Sequence, residues 1–470
     1  MNNPGASYTT GSIGGTMLKT GAAMIPATLA ISGYNIANTF FVAKLGTIPL
    51  AAMGFTFPMV MLIGCIYRGL GIGAMTPLAH ALGRRNLVKA AKLTSAGLLL
   101  IISLSAVIGI IGYFSIDWTF RHFGAGGEVM PMVHDYMAIW YLGSVTGAVA
   151  MTCNDFMIAT GSTRTASSMM LGGMLLNATL DPICIFGLLG FPAMGIKGAA
   201  AATIFSQAVV SIVLFLLLHY RHHLLNWKIF KWRLLKNSWM VVLRVAFPSI
   251  IGILMMPIGN GIITRIVAEF GDDAVAACAA AGRMEILAFI VPMALGVSLM
   301  PMVAQNFGAR QYGRIDECRR FSMRFAGLFG LFMAIVYLVG SQYLPPLFSS
   351  DPRVISIMTQ YLLIISWGFG MMEIHRYCGF FYTGCNRPAV AAWLNTLRIV
   401  VLLIPLSLLA LHFRSMTGLF VARLTADVLA GAFGLWLVSR MTRKLLHEKS
   451  GGRLKPCLEP ELKTVSLDVE

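Results

Sequence analysis

The chain has 470 residues, of which 57% are hydrophobic and 12% charged, against roughly 25% charged in an ordinary soluble domain. Lys and Arg outnumber Asp and Glu by 36 to 19, a formal net charge of +17. Apolar runs of the ~20 residues needed to cross a bilayer as a helix recur along the whole length, which excludes a soluble globular protein and indicates a polytopic membrane protein.

Twelve such runs follow one another at about 17–42, 52–80, 90–113, 130–159, 166–190, 196–218, 240–268, 277–305, 318–341, 354–381, 388–411 and 416–438. The fold class expected is all-α integral membrane, because backbone polar groups in lipid must be satisfied within the segment and no ~10-residue barrel alternation is present. Several runs exceed the minimum span, and Pro26, Pro58, Pro77, Pro182, Pro248, Pro292 and Pro301 fall inside them, so bent or broken helices are expected.

Orientation follows from the basic residues of the loops. One set of loops carries Arg84, Arg85, Lys89 and Lys92, then Arg164, then Arg221, Lys228, Lys231, Arg233 and Lys236, then Arg310, Arg314, Arg319 and Arg320, then Arg387. The opposite set carries only Lys44, Arg121, Lys197, Arg353 and Arg414. The richer side is expected to be cytoplasmic, with both termini there, in a plasma membrane of the bacterial inner-membrane type. Basic loops against an anionic leaflet account for the net charge without nucleic acid as a partner. The N-terminus lacks the basic region, short apolar stretch and cleavage site of a signal peptide. The eight cysteines are scattered without a CxxC or Cys/His cluster, which favours packing over metal or disulfide chemistry.

The sequence overlays on itself at an offset of 225. Gly46 falls on Gly271, Ala51 and Ala52 on Ala276 and Ala277, Gly71 on Gly296, Ala79 on Ala304, Gly83 on Gly308, and Arg85 on Arg310. With the offset eased to 223, Thr160 and Gly161 meet Thr383 and Gly384, Arg164 meets Arg387 and Pro182 meets Pro405. Six helices per copy is an even number, so two lobes related by a pseudo-twofold axis along the membrane normal are expected, with a cavity between them. The division is residues 1–218, a basic amphipathic linker at 219–239, a second lobe at 240–440 and a polar cytoplasmic tail at 441–470. A monomer is expected.

"YNIANTFFVAKLGTIPLAAMGF" (34–55), "LNATLDPICIFGLLGFPAMGIKGAAAAT" (176–203) and "GRMEILAFIVPMALGVSLMPMVAQNFGAR" (282–310) resemble helices one, five to six and eight of MATE (multidrug and toxic compound extrusion) transporters, closest to the DinF-like branch. The resemblance implies a two-lobed antiporter that expels small organic molecules in exchange for H⁺ or Na⁺, with no other cofactor. Its cation site implies an aspartate in helix one, an asparagine and an aspartate four apart in helix five, and a threonine in helix six. Asn177, Asp181 and Thr203 match the last three. The helix-one acid falls at Asn38, so that carboxylate is missing.

The residues support a site there independently. Asn177 and Asp181 are four apart and share a helix face. From the expected outer surface, Asp181 is roughly 13 Å deep, Thr203 roughly 10 Å and Asn38 under ~10 Å, with Tyr34 one turn deeper. A carboxylate at that depth costs at least ~2.5–3.5 kcal/mol on insertion scales, so it faces protein or a water-filled cavity and is a functional candidate. The other reading is a permanently protonated Asp181 acting as an interhelical donor. Asn38 can hold a cation or bond Asp181 but cannot release a proton, so one carboxylate carries one H⁺ per cycle, and Na⁺ among several oxygens remains a second option.

Four further residues are candidates. Arg68, near the middle of the second span, either lines the cavity or pairs with a carbonyl or carboxylate between helices. Arg283 and Glu285 are two apart and face different sides of the eighth span, at an interlobe contact or a second cation site. Glu373 lies three before Arg376 and either pairs with it or couples transport. Asn154, Asp155 and Arg398 read as snorkelled or structural. Gly69, Gly71 and Gly73 in mid-span read as close helix packing rather than a dinucleotide loop. His219, His222 and His223 have no carboxylate nearby, so an enzyme is not expected. The function expected is secondary active export of organic compounds by alternating access, the alternative being a lipid-linked precursor flippase.

Overall fold

A computed structural model describes residues 8–226 and 232–450; the side chains at 31, 32, 34–36 and 448–450 also lie outside the description. Twelve long helices run in order through it. They are α1 (Ile13–Ala43), α2 (Thr47–Gly83), α3 (Leu87–His122), α4 (Val129–Ala159), α5 (Thr163–Phe186) and α6 (Ile196–Arg221). The second six are α7 (Trp232–Ala268), α8 (Asp272–Gly308), α9 (Tyr312–Gly340), α10 (Pro352–Gly384), α11 (Pro388–His412) and α12 (Met416–Ser450). At 37 residues, α2, α7 and α8 are each about 55 Å long and extend well past a hydrocarbon core of roughly 30 Å.

The ends follow local sequence. Asn86 caps α3 by accepting from the Lys89 amide at 2.8 Å, and Asp351 caps α10 by accepting from the Arg353 amide at 2.8 Å, with Pro352 in the first turn. Two expected boundaries move. The linker assigned to 219–239 is taken up at both ends by helix, because α6 continues to Arg221 through a π turn and α7 already begins at Trp232. Residues 227–231 lie outside the description, as do 451–470 of the expected tail, whose first ten residues continue α12.

The repeat is visible in the backbone, and one of its offsets changes. The bounds of α2 and α8 are 225 apart at both ends, as are the first residues of α3 and α9. At the next turn the offset is again 225, not 223: α4 and α10 end at Ala159 and Gly384, and α5 and α11 begin at Thr163 and Pro388. Gly161 (φ 86°) is thus matched by Asn386 (φ 61°). The turn needs a left-handed residue, and asparagine fills that role as glycine does. Matching identical small residues hid this equivalence.

The lobes meet through α1 against α8 and α2 against α7 and α8, a pairing that the pseudo-twofold axis requires. Glycines permit it. A Cβ on Gly69 would strike Ile250 and one on Gly73 would strike Ala246, both on α7. Cross-lobe hydrogen bonds among the described residues gather in the half that carries the basic loops. Thr20 donates to Ser298 at 3.0 Å, His80 Nε2 to the Gly384 carbonyl at 2.7 Å, and Gln305 to the Ala159 carbonyl at 2.7 Å.

The segment before α1 is wedged into the same seam. Tyr8 is 1% exposed; its hydroxyl donates to the Ile158 carbonyl at 3.1 Å and its amide to Gln305 Oε1 at 3.2 Å. Its carbonyl accepts from Asn306 at 3.0 Å and from Arg314 at 3.3 Å. One short segment therefore ties α4 of the first lobe to α8 and α9 of the second.

At the tip of the seam a Cβ on Gly83 would strike the Gln305 carbonyl, and one on Gly308 the His80 carbonyl. Gly83→Val or Gly308→Val is expected to lower stability by about 1–3 kcal/mol through overpacking. Gly126→Val, where nothing lies within 4 Å, is expected to change it by under about 0.5 kcal/mol. Thermal unfolding of the detergent-purified chain measures both.

Candidate functional site

The polar cluster of the first lobe is built beside a proline inside a helix. Asn177 and Asp181 occupy one face of α5, and Pro182 follows inside the helix. Proline has no amide hydrogen, so the Ala178 carbonyl loses its intrahelical donor beside the acid. Asn177 Nδ2 donates to Asp181 Oδ1 at 3.2 Å and reaches Thr203 Oγ1, on α6, at 3.5 Å. Asp181 is 0% exposed, Asn177 1%, Thr203 2% and Asn38, on α1, 4%.

Tyr136 of α4 closes the cluster from the other side. Its side chain is buried and lies near Asn38 and Asp181. The backbone at Tyr34 is part of α1, one turn before Asn38, but its side chain lies outside the described residues.

Among the described residues, three oxygens here have no hydrogen-bond partner: Asn38 Oδ1, Asn177 Oδ1 and Asp181 Oδ2. A buried acceptor without a donor costs about 1–3 kcal/mol, and more if charged. All three are hard oxygen acceptors, the donor type that suits a proton or a small hard cation. With one acid among them, a single positive charge balances the set.

Arg68 lies elsewhere in the same lobe. Its Nη1 donates to Asp155 Oδ1 of α4 at 3.0 Å. The Asp155 side chain is 3% exposed and that of Arg68 41%. A Cβ on Gly71 would strike Asp155 Oδ2, so the middle glycine of the expected packing run makes room for the acid. Asp155 and Asn154 do not snorkel: both are buried, and Asn154 Nδ2 donates to the Ala166 carbonyl at 3.1 Å.

The second lobe holds its charges in a connected chain. Arg283 is exposed while Glu285 is buried, so the two face different sides of α8. Glu285 accepts from the Tyr361 hydroxyl of α10 at 2.6 Å and from Arg423 of α12, which also donates to Tyr361. Asp427, one turn after Arg423 and 3.9 Å from it, accepts from Arg398 Nε at 2.6 Å. Arg398 sits in the π-helical turn Leu397–Leu403 of α11, where the widened helix carries it to α12. Glu373, on α10, lies 3.0 Å from Arg376, whose guanidinium is also 5.2 Å from the Phe289 ring.

Tyr136, Tyr361, Arg423 and Asp427 were absent from the sequence-level candidates. Arg423 and Asp427 are four apart inside the last span, so the pairing rule that singled out Asn177 and Asp181 applied to them equally. Nothing local marks Tyr136. Asp427→Asn is expected to cost about 3 kcal/mol, because it leaves the largely buried Arg398 without its counter-charge. Thermal unfolding beside the exposed Arg283→Gln, expected within about 0.5 kcal/mol, checks it.

The MatE family model matches residues 23–183 and 248–409. The chain is 33% identical over 429 residues to the FAD transporter of Shewanella oneidensis, covering 91% of this chain and 95% of that relative. It is 21% identical over 421 residues to the multidrug export protein MepA of Staphylococcus haemolyticus, covering 89% and 91%. Among solved structures, the bent form of the Vibrio cholerae MATE transporter VcmN superposes with a TM-score of 0.87 at 26% identity, over 93% of this chain and 98% of that one. A Pyrococcus furiosus transporter of the MOP superfamily superposes at 0.85 with 21% identity, over 94% and 98%, a likeness of fold alone.

Proposed function

The chain belongs to the MatE family of secondary membrane transporters, which are not enzymes, and from that footing we propose that it is an antiporter expelling an organic molecule as one cation enters at Asp181. The observation that carries the proposal is the trio of buried oxygens on Asn38, Asn177 and Asp181 that have no partner among the described residues. In this reading the basic loops face the cytoplasm with both termini, and the seam through Tyr8, Gln305 and Gly384 shuts that side. A cation arriving from outside pairs with Asp181 and disfavours retention of the substrate. Opening the seam releases the cation inward and resets the lobes.

The residues that would hold the cation are Asp181, Asn177, Asn38 and Thr203, with Tyr136 beside Asn38. That set supports the DinF-like assignment, save for the amide at Asn38. We take the coupling ion to be H⁺. The several neutral oxygens around one acid favour Na⁺ as the second reading. One monovalent cation per cycle supplies about 2.3 kcal/mol per 100 mV, enough to hold a neutral substrate at about a fiftyfold gradient.

The relative named as an FAD transporter points to an anionic flavin dinucleotide as substrate, and relatives named as multidrug exporters point to varied organic compounds. Arg68 supports the former, because it engages Asp155 through Nη1 while its side chain is 41% exposed. A lipid-linked flippase would call for several uncommitted cations. Arg376, Arg398 and Arg423 are instead each held by an acid. The working unit is taken to be a monomer.

Efflux from proteoliposomes with an imposed pH or Na⁺ gradient tests the proposal. Asp181→Asn is expected to insert normally and lose gradient-driven efflux, and Asn38→Asp to raise the cation-to-substrate ratio from one toward two. Normal coupled transport by Asp181→Asn would overturn it, and the gradient that drives the wild type decides between H⁺ and Na⁺.

A further inference from the structure

The repeat places one short motif twice on the basic face: Gly83-Arg84-Arg85-Asn86 after α2 and Gly308-Ala309-Arg310-Gln311 after α8. Transport at Asp181 makes no use of it. Arg85 (φ 57°) and Arg310 (φ 56°) both adopt the left-handed conformation, so the two loops turn alike. The lobe contact there is reciprocal. Gly83 faces the Gln305 carbonyl and Gly308 faces the His80 carbonyl, and His80 and Gln305 are themselves 225 apart. A reciprocal contact of this kind lies on the pseudo-twofold axis.

Around that contact is an open cavity of about 450 Å³, lined by Thr9, Arg84, Arg85, Arg310 and Gln311 together with the loop glycines and Ala309. Three arginines from two lobes thus line one space, and among the described residues no acidic residue lines it. Arg85 and Arg310 bring like charge to it from the two lobes, and an anion between them would offset their repulsion. Arginine's planar fork of donors suits phosphate oxygens. Thr9 belongs to the same segment as Tyr8, so the cavity is assembled from the wedge and both lobes. It exists only while the basic ends of the lobes are together.

We propose that this seam cavity binds a phosphate group, which bridges Arg85 of one lobe to Arg310 of the other and holds the basic side shut. The phosphate is carried by an anionic lipid headgroup or by a soluble anion on that side; both present the same oxygens to the same arginines. The proposal stands apart from the cation chemistry at Asp181, since binding needs no transport. The general basic character of this face does not account for it, because Arg164 and Arg387 are exposed on the same side but do not border the cavity.

Binding to the full detergent-purified chain tests it, read by native mass spectrometry and thermal unfolding. The probes are short-chain phosphatidylglycerol, phosphatidylcholine and inorganic phosphate. Arg85→Asn and Arg310→Asn keep a residue tolerant of the left-handed turn. Each is expected to weaken phosphatidylglycerol binding about fivefold, and the pair together about 25-fold. Arg164→Asn and Arg387→Asn are expected to leave it within about twofold. Should the double variant fail to fold, the single variants give the same comparison. Stabilisation by phosphatidylglycerol alone identifies a headgroup, and stabilisation by phosphate as well identifies the bare anion. Equal losses in seam and control variants, or equal binding of phosphatidylcholine, would overturn the proposal.

Discussion

Polar atoms removed from water must find partners, and in a membrane protein nearly every feature of the chain answers to that demand. The backbone answers it by becoming twelve long helices, and most charged side chains answer it by pairing: Arg68 with Asp155, Arg376 with Glu373, Arg398 with Asp427 and Arg423 with Glu285. Asp181 is different. Among the described residues it bonds to the neutral amide of Asn177, its second oxygen has no partner, and two amide oxygens in the same bundle are equally unprovided for. Other buried atoms, such as Asp155 Oδ2 and the Glu373 oxygens, also lack a hydrogen bond among the described residues, but those acids have an arginine beside them and Asp181 does not.

The two lobes have diverged in how they carry charge. The first keeps a lone acid among neutral oxygens. The second keeps its acids locked to arginines across four helices, α8, α10, α11 and α12, and Tyr361 joins Glu285 to Arg423. A cation competing for Glu285 or Asp427 would first have to displace a guanidinium held by several bonds. The asymmetry is what the proposed coupling at Asp181 relies on, and the ion pairs of the second lobe tie its helices together. The glycine contacts of α2 with α7, and the wedge at Tyr8, then form the surface on which the two lobes meet and part.

Much of this architecture was legible in the sequence because lipid makes the code simple. Spans are long and apolar, the basic loops alternate, and the glycines at 69, 71 and 73 mark close approaches. The Asn177–Asp181 bond follows directly from a spacing of four. The sequence was less informative wherever a feature depends on a partner far along the chain. Tyr136 is one aromatic among many until it is seen beside Asn38, and Arg398 reaches Asp427 only through a π turn that composition does not announce. The repeat was read two residues out of register at Gly161 because identity was matched instead of backbone requirement; asparagine at 386 does what glycine does at 161.

The most direct measure of the central claim is cation release when substrate binds to the purified chain at equilibrium, followed with a pH indicator in weak buffer and with a sodium electrode. The account predicts that the wild type gives up one cation per substrate molecule bound and that Asp181→Asn gives up none while still binding substrate. Equal release by the two proteins would contradict it.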